Sequence, residues 1–439
     1  MSHNESKTLF ILKKREHSTG SGLSSGLINS VKLIKEMLDD NDIESKIVEV
    51  IDNNYIDKEV NEYKPSVVIV EAIWVVPSKF TELQRLHPNV KWIVRIHSET
   101  PFIANEGNAI SWINQYINLG ISISVNSDRM LNDLTKYTDS TNNIDSNIIL
   151  LPNYYKINNL ETKESDTEKE RGEYLNIGCF GAIRPLKNQL IQAIAAISYT
   201  KQYDRKLKFH INVSRLENDG SNNVLKNLRA LFLDLDKNSY QLVEHGWYEH
   251  KDFLNVIKDM DLGLQVSLSE TFNIVTADFV KQQIPVVVSN EINWIDNNFR
   301  TNPTSLNDII DTIHKSLNDK KGCIRNIEKL QHYNDFSEKC WVNLLHPVKK
   351  NNKITHIFNK REIMGEIVLE NGSHEILFEL NFVDPNNKPK VSAQLDDTYP
   401  STNFSSESDS FNVKLVDEGF ILSANIFSNQ RKINWIAKK

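Results

Sequence analysis

The chain reads as an α/β protein of two doubly wound domains followed by a small antiparallel β module. Three observations predict this. Over most of its length, short apolar runs of strand length alternate with helix-like segments, the pattern of βαβ units with buried parallel strands. The alternation is interrupted by the charged stretch 156–173 (KINNLETKESDTEKERGE), almost free of large apolar residues, which cannot build a core and therefore reads as a linker between two such series. Beyond residue 353 the apolar period changes to two, the mark of half-buried antiparallel strands.

Composition agrees with a multidomain protein. At 439 residues the chain exceeds the roughly 250–300 at which a single core stops growing. Its 51 Lys and Arg against 58 Asp and Glu give a net charge of −7, which is no basic footprint for nucleic acid. Cys179, Cys323 and Cys340 lie far apart in no metal or redox spacing and predict a reducing compartment. The start, MSHNESK, is polar and no apolar run approaches the roughly 18 residues that span a bilayer, so a soluble, cytoplasmic protein is expected.

The first domain, 1–155, opens with a strand at 8–13 (TLFILK), a loop of small residues, and a helix with Leu27, Ile28, Val31, Ile34 and Leu38 on one face. Gly20, Gly22 and Gly26 make a GxGxxxG and invite a dinucleotide reading. In that fingerprint the first glycine turns directly off the strand, whereas here Lys14 to Thr19 intervene. A flexible loop, Gly22 included, that lets backbone approach a ligand fits the spacing better. Strands follow at 46–51, 66–72, 90–97, 121–126 and 147–151, with helices at 77–86, 108–116 and 129–137. His97 closes the strand VKWIVRIHS just before Glu99 and Pro101. It stands where open α/β sheets bind their ligands, so it should project into the crevice; a structural histidine bonded to nearby backbone is the alternative. Asn126, at the end of the next strand, is a second candidate of the same kind.

The second domain, 174–346, opens with YLNIGCFGAIRPLKN, a strand running into a loop that contains Gly181, then a helix carrying Leu190, Ile191, Ala193, Ile194 and Ile197. Strands at 207–213 and 240–243 and a helix at 251–260 lead to the stretch 262–289, LGLQVSLSETFNIVTADFVKQQIPVVVS. It reads as strand, polar turn, helix ending near Gln282, and strand, which sets Glu270 at the carboxyl end of a buried strand. Asp278 follows eight positions later, with Phe272 and Asn273 between them, and Thr271 is the expected helix cap. The N–H groups and dipole of the helix start suit a phosphate, while two ionised carboxylates suit hydroxyl groups, since they only accept hydrogen bonds. Phosphate plus hydroxyls describes a sugar nucleotide.

These residues resemble the E-x7-E element of the retaining, metal-independent glycosyltransferases of the GT-B fold. The resemblance implies that Glu270 lies by the donor sugar, that the N–H groups from Thr271 through Phe272 and Asn273 meet the diphosphate, and that Asp278 holds the ribose, one methylene shorter than the family's Glu. The turn after the first strand is similar to the family's Gly-Arg-x-x-x-x-Lys, whose two cations grip the diphosphate. Gly181 and Lys187 match; Ala182 stands at the arginine position, and Arg184 is read as a displaced guanidinium covering the same charge, a surface ion pair being the alternative. Breaking a sugar–phosphate bond builds negative charge on the departing diphosphate, which the protein must compensate if no divalent ion does, so Lys187 is counted as catalytic with Glu270 and His97. By the same resemblance His97 lies close to donor sugar and acceptor, the first loop with Gly22 faces the cleft between two Rossmann-like domains, Trp247 or Tyr248 lines the base, with core packing the preferred reading for Trp247, and a helix at 324–345 crosses back to the first domain. The resemblance spans roughly residues 8–345, with specific motifs only at 181–188 and 270–278. Two Asp-x-Asp triplets, 234–236 and 259–261, end helical patterns and read as solvated acids; no metal is assigned.

The tail, 353–439, shows alternating runs at 363–370 and 374–382 joined through Asn371-Gly372, a strong hairpin signal, and further strands at 391–395, 411–415, 420–426 and 432–436. It predicts a sandwich-like accessory module outside the resemblance, for packing, self-association into a homo-oligomer, or docking of a glycan or acceptor. The function expected is transfer of a sugar from a nucleotide-diphosphate donor, with retention and without a resident cofactor, to an acceptor that is a glycan, a lipid-linked sugar, a small molecule or a modified DNA base. An epimerase of the same fold, a phage-type DNA-base transferase, which the acidic charge disfavours, and a non-catalytic binding protein altered at Ala182 and Asp278 are the alternatives.

Overall fold

The structure is a computed structural model. It describes residues 7–14, 25–141, 148–157, 172–216, 220–345, 357–359, 362–379, 390–395, 410–416 and 419–438. Internal contacts divide the chain into two units, 1–346 and 347–439.

The N-terminal domain runs β1 (Thr8–Lys13), α1 (Ser25–Asp40), β2 (Ser45–Val50), α2 (Ile56–Tyr63), β3 (Val67–Glu71), α3 (Pro77–Leu86), β4 (Lys91–Ile96), α4 (Thr100–Ile103), α5 (Ala109–Asn118), β5 (Ser122–Val125), α6 (Asp128–Thr141) and β6 (Ile148–Leu150). Every strand expected here is present within a residue or two. All pairings are parallel, in the order β2-β1-β3-β4-β5-β6. Central strands such as β1 and β3 are apolar on both faces because helices cover both, and their residues Leu9 to Leu12 and Val68 to Val70 are fully buried.

The second domain runs β7 (Tyr174–Gly178), α7 (Gln189–Gln202), β8 (Lys206–Asn212), α8 (Ser221–Leu233), β9 (Tyr240–His245), α9 (His250–Lys258), β10 (Leu262–Gln265), α10 (Ile274–Lys281), β11 (Val286–Ser289), β12 (Arg300–Thr301), α11 (Leu306–Asn318) and α12 (Gly322–Leu345). Its parallel sheet has the order β12-β11-β10-β7-β8-β9. Chain order reverses between β7 and β10, and at such a switch point the loops leaving the two strands open a crevice. Those loops are 179–188 and 266–273, the two motif-bearing stretches. Gly263 lets α10 sit close on β10, since a Cβ there would lie 2.6 Å from the Phe279 ring.

One sequence expectation changes here. Asn273, not Thr271, caps α10: it sits at φ 60° and its side chain accepts from the Thr276 N–H at 3.0 Å. Asparagine tolerates this left-handed position better than a β-branched threonine, and its oxygen reaches the first turn.

Helix α12 joins the domains. Ile327 and Leu330 pack in the second domain, while Trp341 and Leu345 are buried with Phe10, Val31 and Ile34 of the first. Trp341 Nε1 donates to the Pro152 carbonyl at 2.8 Å, and Asn334 exchanges two hydrogen bonds with the Tyr155 backbone. Burying such a tryptophan contributes about 2–3 kcal/mol.

The C-terminal unit is a five-stranded antiparallel sheet of β13 (Ile357–Asn359), β14 (Glu362–Glu379), β15 (Lys390–Leu395), β16 (Ser410–Val416) and β17 (Gly419–Lys438). The Asn371-Gly372 hairpin is not formed. β14 runs straight through that dipeptide and stays paired with β17 on both sides of a register irregularity between Glu370 and Gly372. At the irregularity Asn371 stands opposite residues 427–429, and the long complementary run of β17, which merges the strands expected at 420–426 and 432–436, carries the pairing past the dipeptide.

Candidate functional site

The carboxyl ends of both parallel sheets face a cavity of about 620 Å³ between the two domains of the first unit. His97, Ser98, Glu99, Asn126 and Asn153 line it from the N-terminal side. Arg184, Lys187, Arg215 and the run Ser269 to Val275 line it from the other. A second cavity of about 180 Å³ continues past Arg184 and Lys187 to Gly181, Ala182, Trp247, Tyr248, His250 and Asp278.

Lys187 and Glu270, 83 residues apart, form an ion pair between Nζ and Oε1 at the switch point. The side chains are 12% and 8% exposed, so little solvent screens the pair. Burial pushes the Glu270 carboxyl up, but Lys187 and Arg184 outweigh it and hold it below the ordinary carboxylate range. Glu270 is thus an ionised acceptor in a nearly dry site. Gly181 adopts φ 114°, which favours glycine, and its N–H donates to Asn212 Oδ1 at 3.0 Å. Arg184 reaches across the cleft and lies over the Phe102 ring at 4.8 Å; it lines both cavities beside Lys187. Ile274 and Val275, the first turn of α10, also line both cavities, with Phe272 buried behind them against Trp294 and Tyr333.

His97 enters the crevice as its strand position predicts, but its ring is fully engaged. Nε2 is bonded to Glu71 and Nδ1 faces Asn126 Nδ2 at 3.2 Å. Since the amide can only donate, Nδ1 accepts and Nε2 carries the hydrogen. Burial, with the Arg95 charge added, holds the ring below its ordinary value against the pull of Glu71, so it is neutral at pH 7. In this geometry both ring nitrogens are engaged and the ring forms part of the cavity wall. The His97 carbonyl accepts from the Thr271 hydroxyl at 3.3 Å, which is where the supposed cap residue spends its hydrogen bond.

Asp278 is 2% exposed and lines the smaller cavity. Its Oδ1 accepts from Tyr155 Oη and pairs with His250 Nε2, each at 2.6 Å. Gly22 lies outside the described residues. Of the Asp-x-Asp acids, Asp261 accepts from the Asn176 N–H at 2.8 Å and Asp236 from Ser239 Oγ at 2.7 Å. Among the described residues no group of three His, Cys, Asp or Glu is placed to hold a metal ion, and no helix is long and apolar enough to cross a membrane.

Sequence reasoning missed the polar floor of the N-terminal side. Arg95, fully buried, donates to Glu71 at 3.4 Å and to Asn153 Oδ1 at 2.8 Å, and stacks on Trp341 at 5.1 Å. Asn126 Oδ1 is buried there without a hydrogen-bond partner, and Ala72 holds φ 70° in the cavity wall, the kind of local strain that gathers at binding sites. A signal existed, because Glu71 and Arg95 each put a charge inside an otherwise apolar strand (VVIVE, KWIVRI). Arg129 had no such signal. From α6 it binds Glu99, and across the cleft Glu291 and the Glu270 carbonyl.

The fold is GT-B. A UDP-forming alpha,alpha-trehalose-phosphate synthase from Burkholderia vietnamiensis superposes with a TM-score of 0.58 at 10% identity, over 80% of this chain and 100% of that one. The E. coli trehalose-6-phosphate protein bound with UDP-2-fluoro glucose gives 0.55 at 11%, over 77% and 98%. TarM of S. aureus, in complex with Fondaparinux, alpha-GlcNAc-glycerol and UDP, gives 0.50 at 17%, over 67% of this chain and 58% of that one. No family profile and no curated protein sequence matches the chain.

Proposed function

We propose that this protein is a glycosyltransferase that moves a sugar from a nucleoside-diphosphate donor to an acceptor hydroxyl with retention at the anomeric carbon. The observation that carries the reading is the convergence of Lys187, Arg184, ionised Glu270 and the start of α10 at the switch point of the second domain. The two cations offset the negative charge that grows on the departing diphosphate, and the N–H groups of the first helical turn add dipoles of the same sign. Glu270 accepts hydrogen bonds from hydroxyls of the sugar in transfer. With His97 neutral and engaged, the departing phosphate oxygen is the base that takes the acceptor's proton. His97, Asn126 and Asn153 form the wall the acceptor approaches. TarM is in complex with UDP and the E. coli protein of similar fold is bound with UDP-2-fluoro glucose, which makes UDP-sugars the first donors to try.

The test is a thermal-shift panel of UDP, GDP and ADP with their glucose, mannose and N-acetylglucosamine conjugates. A ligand at a hundred times its dissociation constant stabilises by about 2.7 kcal/mol, an easily read shift. Stabilisation by one nucleoside diphosphate, followed by its release from the conjugate only when an acceptor is added, is the expected result. Conversion of the donor without acceptor would make the protein an epimerase, and a silent panel would remove the donor-site reading.

A further inference from the structure

We propose that His250, a residue outside both motifs, is a ribose-recognising group of the donor site, set forward by Asp278 so that its Nδ1 meets a ribose hydroxyl. The inference rests on the donor-site reading above and adds a residue to it. On that reading Asp278 is the acid assigned to the ribose, one methylene shorter than the motif's glutamate, and it lines the smaller cavity. Its carboxyl is 2% exposed, and the hydrogen bonds from Tyr155 and His250 both fall on Oδ1. Aspartate is one methylene shorter than glutamate, and the imidazole bonded to this one lines the same cavity. His250 opens α9, its side chain is 29% exposed, and it lines the same cavity as Asp278, Tyr248 and Lys187. Nε2 is committed to Asp278, and among the described residues Nδ1 makes no hydrogen bond, which leaves it as the polar group the ring presents to a ligand.

The charge state follows from the neighbours. The hydrogen bond to Asp278 raises the imidazole above its ordinary value, against burial and the nearby Lys281. Tyr155 is held protonated by burial and by Asp278, so it remains a donor and adds no charge. A cationic ring gives Nδ1–H to the ribose oxygen, a charge-assisted bond, and loses it as pH rises through the raised value. Arg184, Lys187 and Arg215 line the cavity too.

The experiment is calorimetric binding of whichever of UDP, GDP or ADP binds the full-length protein, compared with its 2′-deoxy and 3′-deoxy forms, for wild type, His250→Ala and His250→Gln. Wild type should prefer the ribonucleotide, and His250→Ala should bind it about tenfold more weakly while binding one deoxy form nearly as wild type does. Wild-type affinity should also fall between pH 6.5 and 8.5 by more than that of either variant. Equal losses for ribo and deoxy forms, or a pH profile unchanged in both variants, would overturn the proposal. His250→Gln keeps a polar group beside Asp278 and supplies the comparison if His250→Ala does not fold. If none of the nucleotides binds wild type, the donor-site reading itself has failed; binding with no dependence on residue 250 sinks only this inference.

Discussion

Lys187 and Glu270 are partners: the ammonium of the loop after β7 sits on the carboxylate of the loop after β10, and against burial its charge is the foremost influence that keeps the Glu270 carboxyl ionised. The pair makes a two-part prediction. Lys187→Met should lower turnover on the order of 100-fold, the typical loss of a group that meets developing charge, while weakening free nucleoside binding little. It should also cost about 3 kcal/mol of stability, because a buried carboxylate is left unpaired, and adding Glu270→Gln should return part of that loss. Urea unfolding of the two single variants and the double variant measures the coupling; simple additivity would mean the pair is not coupled in solution.

His210 makes stability depend on pH. Its Nδ1 bonds His245 Nε2 at 2.9 Å, and burial, then His245 and Lys208, push it down to about 4. The folded state therefore prefers the neutral ring. That contribution is complete above the ordinary value of 6.5 and is lost as pH falls from 6.5 towards 4, where it amounts to roughly 3 kcal/mol. Unfolding curves at pH 7, 5.5 and 4.5 should show the decline, and His210→Gln should flatten it.

Arg129 should matter more for rate than for stability. Its guanidinium is 41% exposed where it pairs with Glu291, and exposed ion pairs are worth about 0–1 kcal/mol, whereas its other partner, Glu99, is 1% exposed and needs a cation beside it; Arg129 also holds the Glu270 carbonyl from the opposite domain. Arg129→Lys, which keeps a cation beside Glu99, is expected to leave the melting temperature nearly unchanged and to reduce turnover ~10-fold through misplacement of the Glu270 loop. A fall in melting temperature that parallels the loss of rate would assign Arg129 a structural part instead.

Chelation should leave activity intact, since Lys187 and Arg184 stand where a divalent ion would otherwise compensate the diphosphate. Activity lost with EDTA and restored by magnesium would argue for an ion in the donor complex.

A chain ending at residue 346 should fold and bind nucleotide, because the internal contacts separate there. A chain ending at residue 330 should not fold, since it removes Trp341 and Leu345 from the core of the N-terminal domain. Circular dichroism and nucleotide thermal shifts on both truncations decide this, and an insoluble 1–346 chain would place the tail within the fold.

Much of the architecture was legible in the sequence because it is governed by local pattern. Buried parallel strands must be apolar and the helices between them amphipathic, so β1, β3, β7 and β10 announce themselves in order, and so does α12 as a helix, while its crossing to the first domain was implied by the family resemblance. The loops that carry Lys187 and Glu270 stood out because short polar segments at strand ends are where α/β sheets present chemistry. Other features depended on neighbours remote in the chain. Thr271 bonds His97 and leaves the cap to Asn273, a choice set by the facing domain and by the left-handed backbone at residue 273. Asn371-Gly372 favours a turn as a dipeptide, yet its outcome depended on how long a strand β17 offered as partner. The protonation of His97 and the pairing of His250 with Asp278 required Glu71, Arg95, Tyr155 and their burial, which is a property of the packed molecule. The sequence by itself determined which elements form and which of their ends carry reactive groups. The tertiary structure alone decided which of those groups meet and which protons they hold, because both depend on desolvation and on charges brought together only by folding.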